Sequence, residues 1–163
     1  MKRPAKAAPK AALKTALLAE LEGALAAARS AHQAAVEGAT HDDARPENDK
    51  DTRGLEQSYL ARGIAQRVAE LEAAIGSVTA MTVRAFDAAE PISIGAVVDV
   101  DEDGRARRFL IAAGGGGVSL AGDVTVLTPT SPIGRALVGK RTGDDCEFVL
   151  GGGPRTLTVT RIA

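Results

Sequence analysis

Aromatic residues are scarce in this chain of 163 residues, which has three Phe, one Tyr and no Trp. A large aromatic core or an aromatic-walled ligand pocket is therefore not expected. The 45% of hydrophobic residues is instead rich in Ala, and this favours closely packed helices over part of the chain. Eighteen Gly, most of them beyond position 94, indicate a second part that is rich in turns.

Cysteine and long apolar runs are also rare. Cys146 is the single cysteine, which excludes an internal disulfide or a cysteine zinc site and fits a reducing compartment. No apolar run approaches the roughly 18 residues of a membrane span, and the N-terminus lacks the apolar core of a signal peptide. The expectation is a cytoplasmic protein without membrane contact.

Charge of either sign is nearly balanced, with a net charge of −1, but it is unevenly placed. Five cations precede the first acid, Glu20, namely Lys2, Arg3, Lys6, Lys10 and Lys14. Residues 1–9 are predicted to form a solvated basic tail. The alternative is a weak electrostatic contact with nucleic acid or an acidic partner.

Residues 10–76 have the spacing of two long helices. The first is predicted from Lys10 to about Glu37, with Gly38 as its stop and one face made of Leu13, Leu17, Leu21, Ala24, Ala28, Ala31 and Ala35. The second is predicted from near Pro46 to Gly76, with an apolar stripe through Leu55, Tyr59 or Ser58, Ile64 or Arg62, Val68, Leu71 and Ile75. Each would be about 40 Å long at about 1.5 Å per residue, so an antiparallel hairpin should project from a small domain.

The stretch between the two predicted helices is rich in Asp and Glu, and it lies where the chain reverses direction. Residues 41–51 contain Asp42, Asp43, Glu47, Asp49 and Asp51. They would form an acidic tip at the far end of the hairpin. A purely structural interpretation is also open, because acids in a first helical turn are favoured by the helix dipole. His41 beside Asp42 could join a metal site, although a solvated turn residue is the simpler interpretation.

Residues 77–163 change to short β-branched runs separated by turns. Strands are predicted at 78–86, 96–100, 107–112, 124–128, 146–150 and 157–162, with one short helix from Pro132 to Val138. Asp103-Gly104 has the composition of a tight hairpin turn, and Gly151-Gly152-Gly153-Pro154 links the last two strands. The prediction is an α+β chain whose second domain is a small antiparallel sheet packed on one helix, with Cys146 in its core.

The glycine run from Gly114 to Gly117 invites comparison with a phosphate-binding loop. It lacks the Gly-Lys-Ser/Thr ending and does not lie between a strand and a long helix. It is therefore interpreted as a flexible loop.

Residues 131–144, Ser-Pro-Ile-Gly-Arg-Ala-Leu-Val-Gly-Lys-Arg-Thr-Gly-Asp, closely resemble the C-terminal signature of the Gre transcript-cleavage factors. The likeness continues to Ile162, and the preceding hairpin with its acidic bend resembles the family's N-terminal coiled coil. The resemblance implies an antiparallel coiled-coil hairpin, residues 10–76, followed by an FKBP-like domain, residues 77–163.

The resemblance also implies a function. In the family, the C-terminal domain docks at the rim of the secondary channel of bacterial RNA polymerase, and the coiled coil carries acids to the catalytic centre. There the acids help to hold a second Mg²⁺, so that the polymerase itself cuts backtracked RNA near the nascent 3′ end. A monomeric accessory factor is implied, which is not itself an enzyme and binds no Mg²⁺ stably when free.

By this resemblance Asp43 and Glu47 are the acids that assist the polymerase, with Asp42 as a possible substitute. Ser131, Pro132 and Ile133 match the loop that faces the polymerase rim, although Pro132 and Ile133 also suit a helix start and its packing. The family pattern at the tip is Asp, two residues, then Glu-Asn, followed shortly by an aromatic. Here Glu47-Asn48 match, but Ala44 stands three residues before Glu47, Asp43 stands four before it, and no aromatic follows until Tyr59.

That departure leaves a second function open, a Gre-like factor that occupies the secondary channel and regulates or inhibits the polymerase without stimulating cleavage. A prolyl isomerase is a third possibility from the FKBP-like fold, but Phe86, Phe109 and Phe148 are the only aromatics of the domain. A plain coiled-coil adaptor would leave the signature at 131–144 unexplained.

Overall fold

The computed structural model describes residues 9–40 and 52–163, beginning with two long helices. They are α1, Lys10–Thr40, and α2, Arg53–Ala80. They run antiparallel: a Cβ on Gly38 would lie 3.4 Å from Oε1 of Gln57, and Arg29 Nη2 lies 2.6 Å from Glu72 Oε1. Backbone contacts divide the chain into two compact units, the hairpin unit Glu20–Ala73 and a sheet unit made of Ala74–Ala163 with the start of α1 up to Ala19.

The buried stripe of α1 follows the predicted period, except that two of its positions are shifted by one residue. Leu13, Leu17, Leu21 and Ala35 are buried as predicted. Ala24 and Ala31 are exposed, and their places are taken by the half-buried neighbours Leu25 and His32. The larger side chains one position further on cover more of the helix contact than Ala can, so the prediction of Ala24 and Ala31 in the stripe is wrong.

The stripe of α2 also differs from the prediction. Leu55 and Tyr59 are exposed. The residues that are buried or half-buried recur in alternating steps of three and four residues: Gly54, Gln57, Ala61, Ile64, Val68, Leu71, Ile75 and Val78. The prediction took the large apolar residues of the first turns as core, whereas the helical period selects the small or polar ones beside them.

The ends of α2 depart from the prediction too. Its expected start near Pro46 lies outside the described residues, and the helix begins at Arg53, directly after the non-helical Thr52. It continues through Gly76 to Ala80, so the predicted stop at Gly76 and the predicted strand at 78–86 are both wrong. Val78 is fully buried, and Lys14 Nζ lies 2.8 Å and 2.7 Å from the carbonyl oxygens of Thr79 and Met81. Packing and this lysine cap stabilise an extra helical turn.

The remaining chain forms a six-stranded sheet and the short helix α3, Pro132–Leu137. The strands are β1 Val97–Glu102, β2 Arg105–Ile111, β3 Ser119–Leu120, β4 Val124–Leu127, β5 Asp145–Val149 and β6 Pro154–Ile162. They lie in the order β3-β4-β2-β1-β6-β5. The α+β class and the predicted helix are confirmed, and β3 is a strand that the sequence pattern did not reveal.

One strand pair gives the sheet a mixed character. β2 and β4 are parallel, whereas all other neighbours are antiparallel. The cause is the position of β3 at the edge of the sheet. After β2 the chain first forms β3, the strand outside β4, and then reverses direction to form β4 between β3 and β2. The antiparallel expectation therefore holds for every pair except this one.

The main core lies on one face of the sheet, called here the core face. Phe109, Val98, Val100 and Leu157 are fully buried there, with Ile133 and Leu137 of α3 in the same cluster. Cys146 is 1% exposed and belongs to this cluster, as predicted. The hairpin between β1 and β2 turns through Asp103 (φ 52°) and Gly104 (φ 80°), the two positive φ angles that the sequence predicted there.

Candidate functional site

The predicted tip acids Asp42, Asp43 and Glu47 lie outside the described residues. The helices on either side of them are described, and residues 38 and 57 of the two helices are in contact. Thr40 ends α1 with its hydroxyl donating to the carbonyl of Val36 at 3.0 Å. The acid-rich stretch therefore connects the neighbouring ends of two antiparallel helices, as the sequence predicted.

The first turns of α2 present an exposed apolar surface, which includes Leu55 and Tyr59 of the predicted apolar stripe. Leu55, Tyr59 and Leu60 are 55%, 61% and 53% exposed. The guanidinium of Arg62 lies 5.9 Å from the centre of the Tyr59 ring, at the outer limit of a cation–π contact. Tyr59 is the first aromatic after the acids, and its exposure leaves it accessible to a partner.

The second predicted site, Ser131 to Ile133, is the start of α3. The Ser131 hydroxyl accepts from the amide of Gly134 at 3.0 Å and donates to the carbonyl of Thr128 at 2.8 Å. It is the N-cap of α3, and Pro132 occupies the first turn, where its missing N–H costs nothing. Ile133 is 7% exposed and points into the core, so Pro132 is the exposed member of the three.

Gly134 explains why this turn needs its particular sequence. A Cβ at this position would lie 1.9 Å from the carbonyl oxygen of Thr128 and 2.7 Å from the hydroxyl oxygen of Ser131. No other residue fits without moving the backbone. The Ser-Pro-Ile-Gly run is therefore a structural unit, which the sequence resemblance identified but for which it gave no physical reason.

The rest of the signature forms turns that connect α3 to the strand that follows it. Gly139 and Gly143 have φ angles of 85° and 93°, in the left-handed region that glycine adopts readily. Asp144 accepts from the amide of Arg141 at 2.8 Å, and the Arg141 guanidinium donates to the carbonyl of Ala89. Arg135 and Val138 remain exposed beside Pro132, so the accessible surface of the signature is small and mixed in character.

The basic start of the chain is partly used by the fold. Lys14 caps α2, and Lys10 Nζ donates to the carbonyl of Arg84 at 2.7 Å while lying 4.4 Å from the centre of the Phe86 ring. Burial, and then the nearby Arg84 guanidinium, lower the pKa of Lys10. Lys2, Arg3 and Lys6 lie outside the described residues, so the prediction for the tail stays a prediction.

The described residues hold no group of three or more His, Cys, Asp or Glu side chains that could bind a metal ion. Burial raises the pKa of the Cys146 thiol, which keeps it protonated and unsuited to metal binding. No helix within residues 9–40 and 52–163 has the length and apolarity of a membrane span.

Comparison with known protein families gives a match for the C-terminal domain. Residues 87–163 match the family model "Transcription elongation factor, GreA/GreB, C-term". No curated protein sequence is significantly similar to the chain.

Several solved structures are similar over most of their length. GreA factor homolog 1 (Gfh1) of Thermus thermophilus is 24% identical, with a TM-score of 0.40 over 90% of this chain and 94% of that one. Gfh1 of Thermus aquaticus is 22% identical, with a TM-score of 0.41 over 91% and 94%. The elongation factor GreA/GreB of Nitrosomonas europaea is 16% identical, with a TM-score of 0.33 over 66% and 91%.

Proposed function

We propose, from the match of residues 87–163 to the GreA/GreB family model, that this chain is a transcription elongation factor of the GreA/GreB type. It would bind the secondary channel of bacterial RNA polymerase and stimulate the polymerase's own cleavage of backtracked RNA. The observation that carries the proposal is the match of this domain together with an antiparallel helical hairpin whose connection contains five acids. The rescue of arrested complexes would follow from the cleavage.

The proposed division of labour uses both parts of the chain. The turn around Ser131, Pro132 and Ile133 contacts the polymerase rim, with Pro132 supplying exposed surface and Ser131 and Ile133 holding its shape. The hairpin carries Asp43 and Glu47, with Asp42 as a possible substitute, to the catalytic centre. A monomer suits this role, because the end of the hairpin must be free to enter a channel.

Carboxylates suit the chemistry that the proposal requires, because their oxygens are the donors that Mg²⁺ prefers. When bound at the polymerase centre, a second Mg²⁺ supplies stabilisation of the attacking and leaving oxygens. Asp43 and Glu47 would contribute negative charge and oxygen ligands there, and would orient a water by accepting its hydrogen bonds. The ion belongs to the complex with the polymerase, and the free chain is proposed to hold none stably.

The test is RNA cleavage in a purified, backtracked bacterial elongation complex with Mg²⁺, with and without the protein. We expect the parent chain to accelerate cleavage, and the Asp43→Ala/Glu47→Ala variant to lose at least about tenfold of that acceleration, since each ligand lost weakens transition-state stabilisation. Asp51→Ala is the matched control, because it removes an acid from the same stretch without touching the proposed pair. A loss of the same size in the control would contradict the assignment of the pair.

The second candidate function is a secondary-channel regulator that does not stimulate cleavage. The four-residue step from Asp43 to Glu47, in place of the family's three, favours it. It predicts that the parent chain leaves the cleavage rate unchanged yet competes with an active Gre factor for the polymerase. A chain that neither accelerates cleavage nor competes would overturn both functions.

A further inference from the structure

A charged cluster lies at one end of the core face, and the proposed function leaves it unused. Along β1 the fully buried Val100 is followed on the same face by Glu102, and along β2 Arg107 precedes the buried Phe109. On β6, Arg155 precedes the buried Leu157 in the same way. Three neighbouring strands therefore exchange apolar for charged side chains toward the same end of the sheet.

Glu102 is the centre of this cluster. It is 5% exposed and is the buried charged residue of the described chain. Its Oε2 accepts from Arg107 Nη1 at 2.8 Å, and its Oε1 lies 2.6 Å from Arg155 Nη2. The second contact is an ion pair without good hydrogen-bond geometry, which leaves Oε1 buried with no N–H aimed at it. One carboxylate thus holds two guanidinium groups in place.

The arginines retain most of their hydrogen-bonding capacity. Each guanidinium has five N–H donors, and Glu102 engages one of those on Arg107. Arg107 also lies over the Phe109 ring, 4.9 Å from its centre, which restrains it further. Arg105 pairs with Glu102 in the β1–β2 ladder, but its side chain has no hydrogen bond or ion pair within the described part of the chain. The unused donors surround a common space.

That space is a cavity of about 520 Å³, lined by Glu102, Asp103, Arg105, Ala106, Arg107 and Arg155. Three cations against two acids leave one surplus positive charge. A buried carboxylate is costly to desolvate and contributes little net stability, so a cluster of this kind is explained poorly by stability alone. It is explained well as a support that fixes the direction of arginine side chains toward a ligand.

We propose that Arg105, Arg107 and Arg155 bind a phosphate group in this cavity, with Glu102 as the positioning residue for two of them. The guanidinium fork matches phosphate oxygens with pairs of parallel hydrogen bonds, and three arginines can reach a tetrahedral anion from three sides. The phosphate can come from a free polyphosphate or from the backbone of a nucleic acid, since both present the same oxygens. This inference does not depend on the proposed action on the polymerase.

The test is isothermal titration calorimetry on the full chain with pyrophosphate and, separately, with a short single-stranded RNA. We expect saturable binding of at least one ligand, weakened roughly tenfold by Arg105→Ala and by Arg155→Ala, and unchanged in the control Arg67→Ala on α2. Tighter binding of RNA than of pyrophosphate would identify a nucleic-acid phosphate as the source, and the reverse order a free polyphosphate.

Two outcomes would overturn the proposal. One is the absence of saturable binding of either ligand at about 0.1 M salt, where weak surface attraction is largely screened. The other is binding of polyglutamate as tight as that of pyrophosphate, which would show attraction of any anion. Arg105→Ala keeps the test sound if Arg155→Ala disturbs folding, because the Arg105 side chain makes no hydrogen bond or ion pair in the described fold and its substitution leaves the backbone pairing with Glu102 intact.

Discussion

At the scale of single residues, the Ser-Pro-Ile-Gly turn at 131–134 is explained by backbone geometry. Ser131 uses its hydroxyl both as donor and as acceptor, and the 1.9 Å approach to the Thr128 carbonyl leaves no room for a Cβ at Gly134. The residues that resemble a partner-binding signature therefore stabilise the turn and the start of α3. Of these residues, Pro132 has the exposed side chain and is the one available for contact with a partner.

The first prediction follows from this crowding. Gly134→Ala should lower the free energy of unfolding by about 2–5 kcal/mol, because the new methyl group collides with backbone that is fixed by the Ser131 cap. Urea denaturation monitored by circular dichroism measures it.

Gly76→Ala is the matched control for this substitution. Gly76 lies within α2 with nothing near the place of a Cβ, so alanine there should raise stability by about 0.5–1 kcal/mol. If the two alanine variants had equal stability, the close approach at Gly134 would not be a real constraint.

At the scale of elements, the end of α2 depends on a residue distant in sequence. The last carbonyl groups of a helix have no partner within it and carry partial negative charge. Lys14 of α1 supplies a cation to one of them, at Thr79, and to the carbonyl of Met81 directly after the helix, within the sheet unit. A contact over more than sixty residues of chain thus decides where a helix ends.

The second prediction is that Lys14→Met lowers stability by about 1 kcal/mol, since the aliphatic part of the side chain is kept while the charged donor is lost. Lys14→Arg, which keeps charge and donors, should recover most of it. Thermal unfolding at low ionic strength measures both variants. Equal melting temperatures of Lys14→Met and the parent chain would show that solvent caps α2 equally well.

This element also marks the limit of what the sequence predicts. Helices, five of the six strands and α3 follow from apolar periodicity and from Pro and Gly signals, and the Asp103-Gly104 turn follows from its composition. The strand at 78–86 was wrong because the β-branched run around Val78 is equally compatible with a helix that has tertiary partners. β3 has two residues, too few for any period to show.

The candidate site was predicted unevenly for a similar reason. The acids at 41–51 and the turn at 131–133 stand out in sequence, and the resemblance assigns them roles. The cluster around Glu102 does not stand out, because its members are distributed over β1, β2 and β6 and meet only through strand register. The prediction that Tyr59 or Ser58 belongs to the buried face of α2 is wrong, because both residues are exposed. The prediction followed the usual rule that large apolar residues mark a buried face.

At the scale of the whole molecule, the two compact units differ in how much apolar surface they bury. In the described part of the hairpin unit, Leu21, Ala35, Ala61 and Leu71 are buried, two of them small. In the sheet unit, the core cluster on the core face and the segments packed against it contains fifteen buried residues. The hairpin unit therefore depends on the helix propensity of its many Ala more than on packing.

The third prediction is that backbone amides within 20–73 exchange with solvent faster than those of β1, β2 and β6, by at least roughly tenfold, because local opening costs less where little apolar surface is buried. Hydrogen exchange followed by mass spectrometry on peptide fragments measures it. Equal protection of the two units would mean that the molecule opens as one cooperative body.

The strand order has a consequence for biosynthesis. β6 follows the other five strands of this sheet in sequence and is translated after them, yet it lies between β1 and β5 inside the sheet. While the ribosome has not yet released β6, β5 lacks the strand with which it pairs in the described sheet, and the apolar residues of β1 lack part of their cover. The growing polypeptide must therefore pass through an interval in which this face is open to chaperones and to aggregation, and the interval closes only when Pro154–Ile162 has left the exit tunnel.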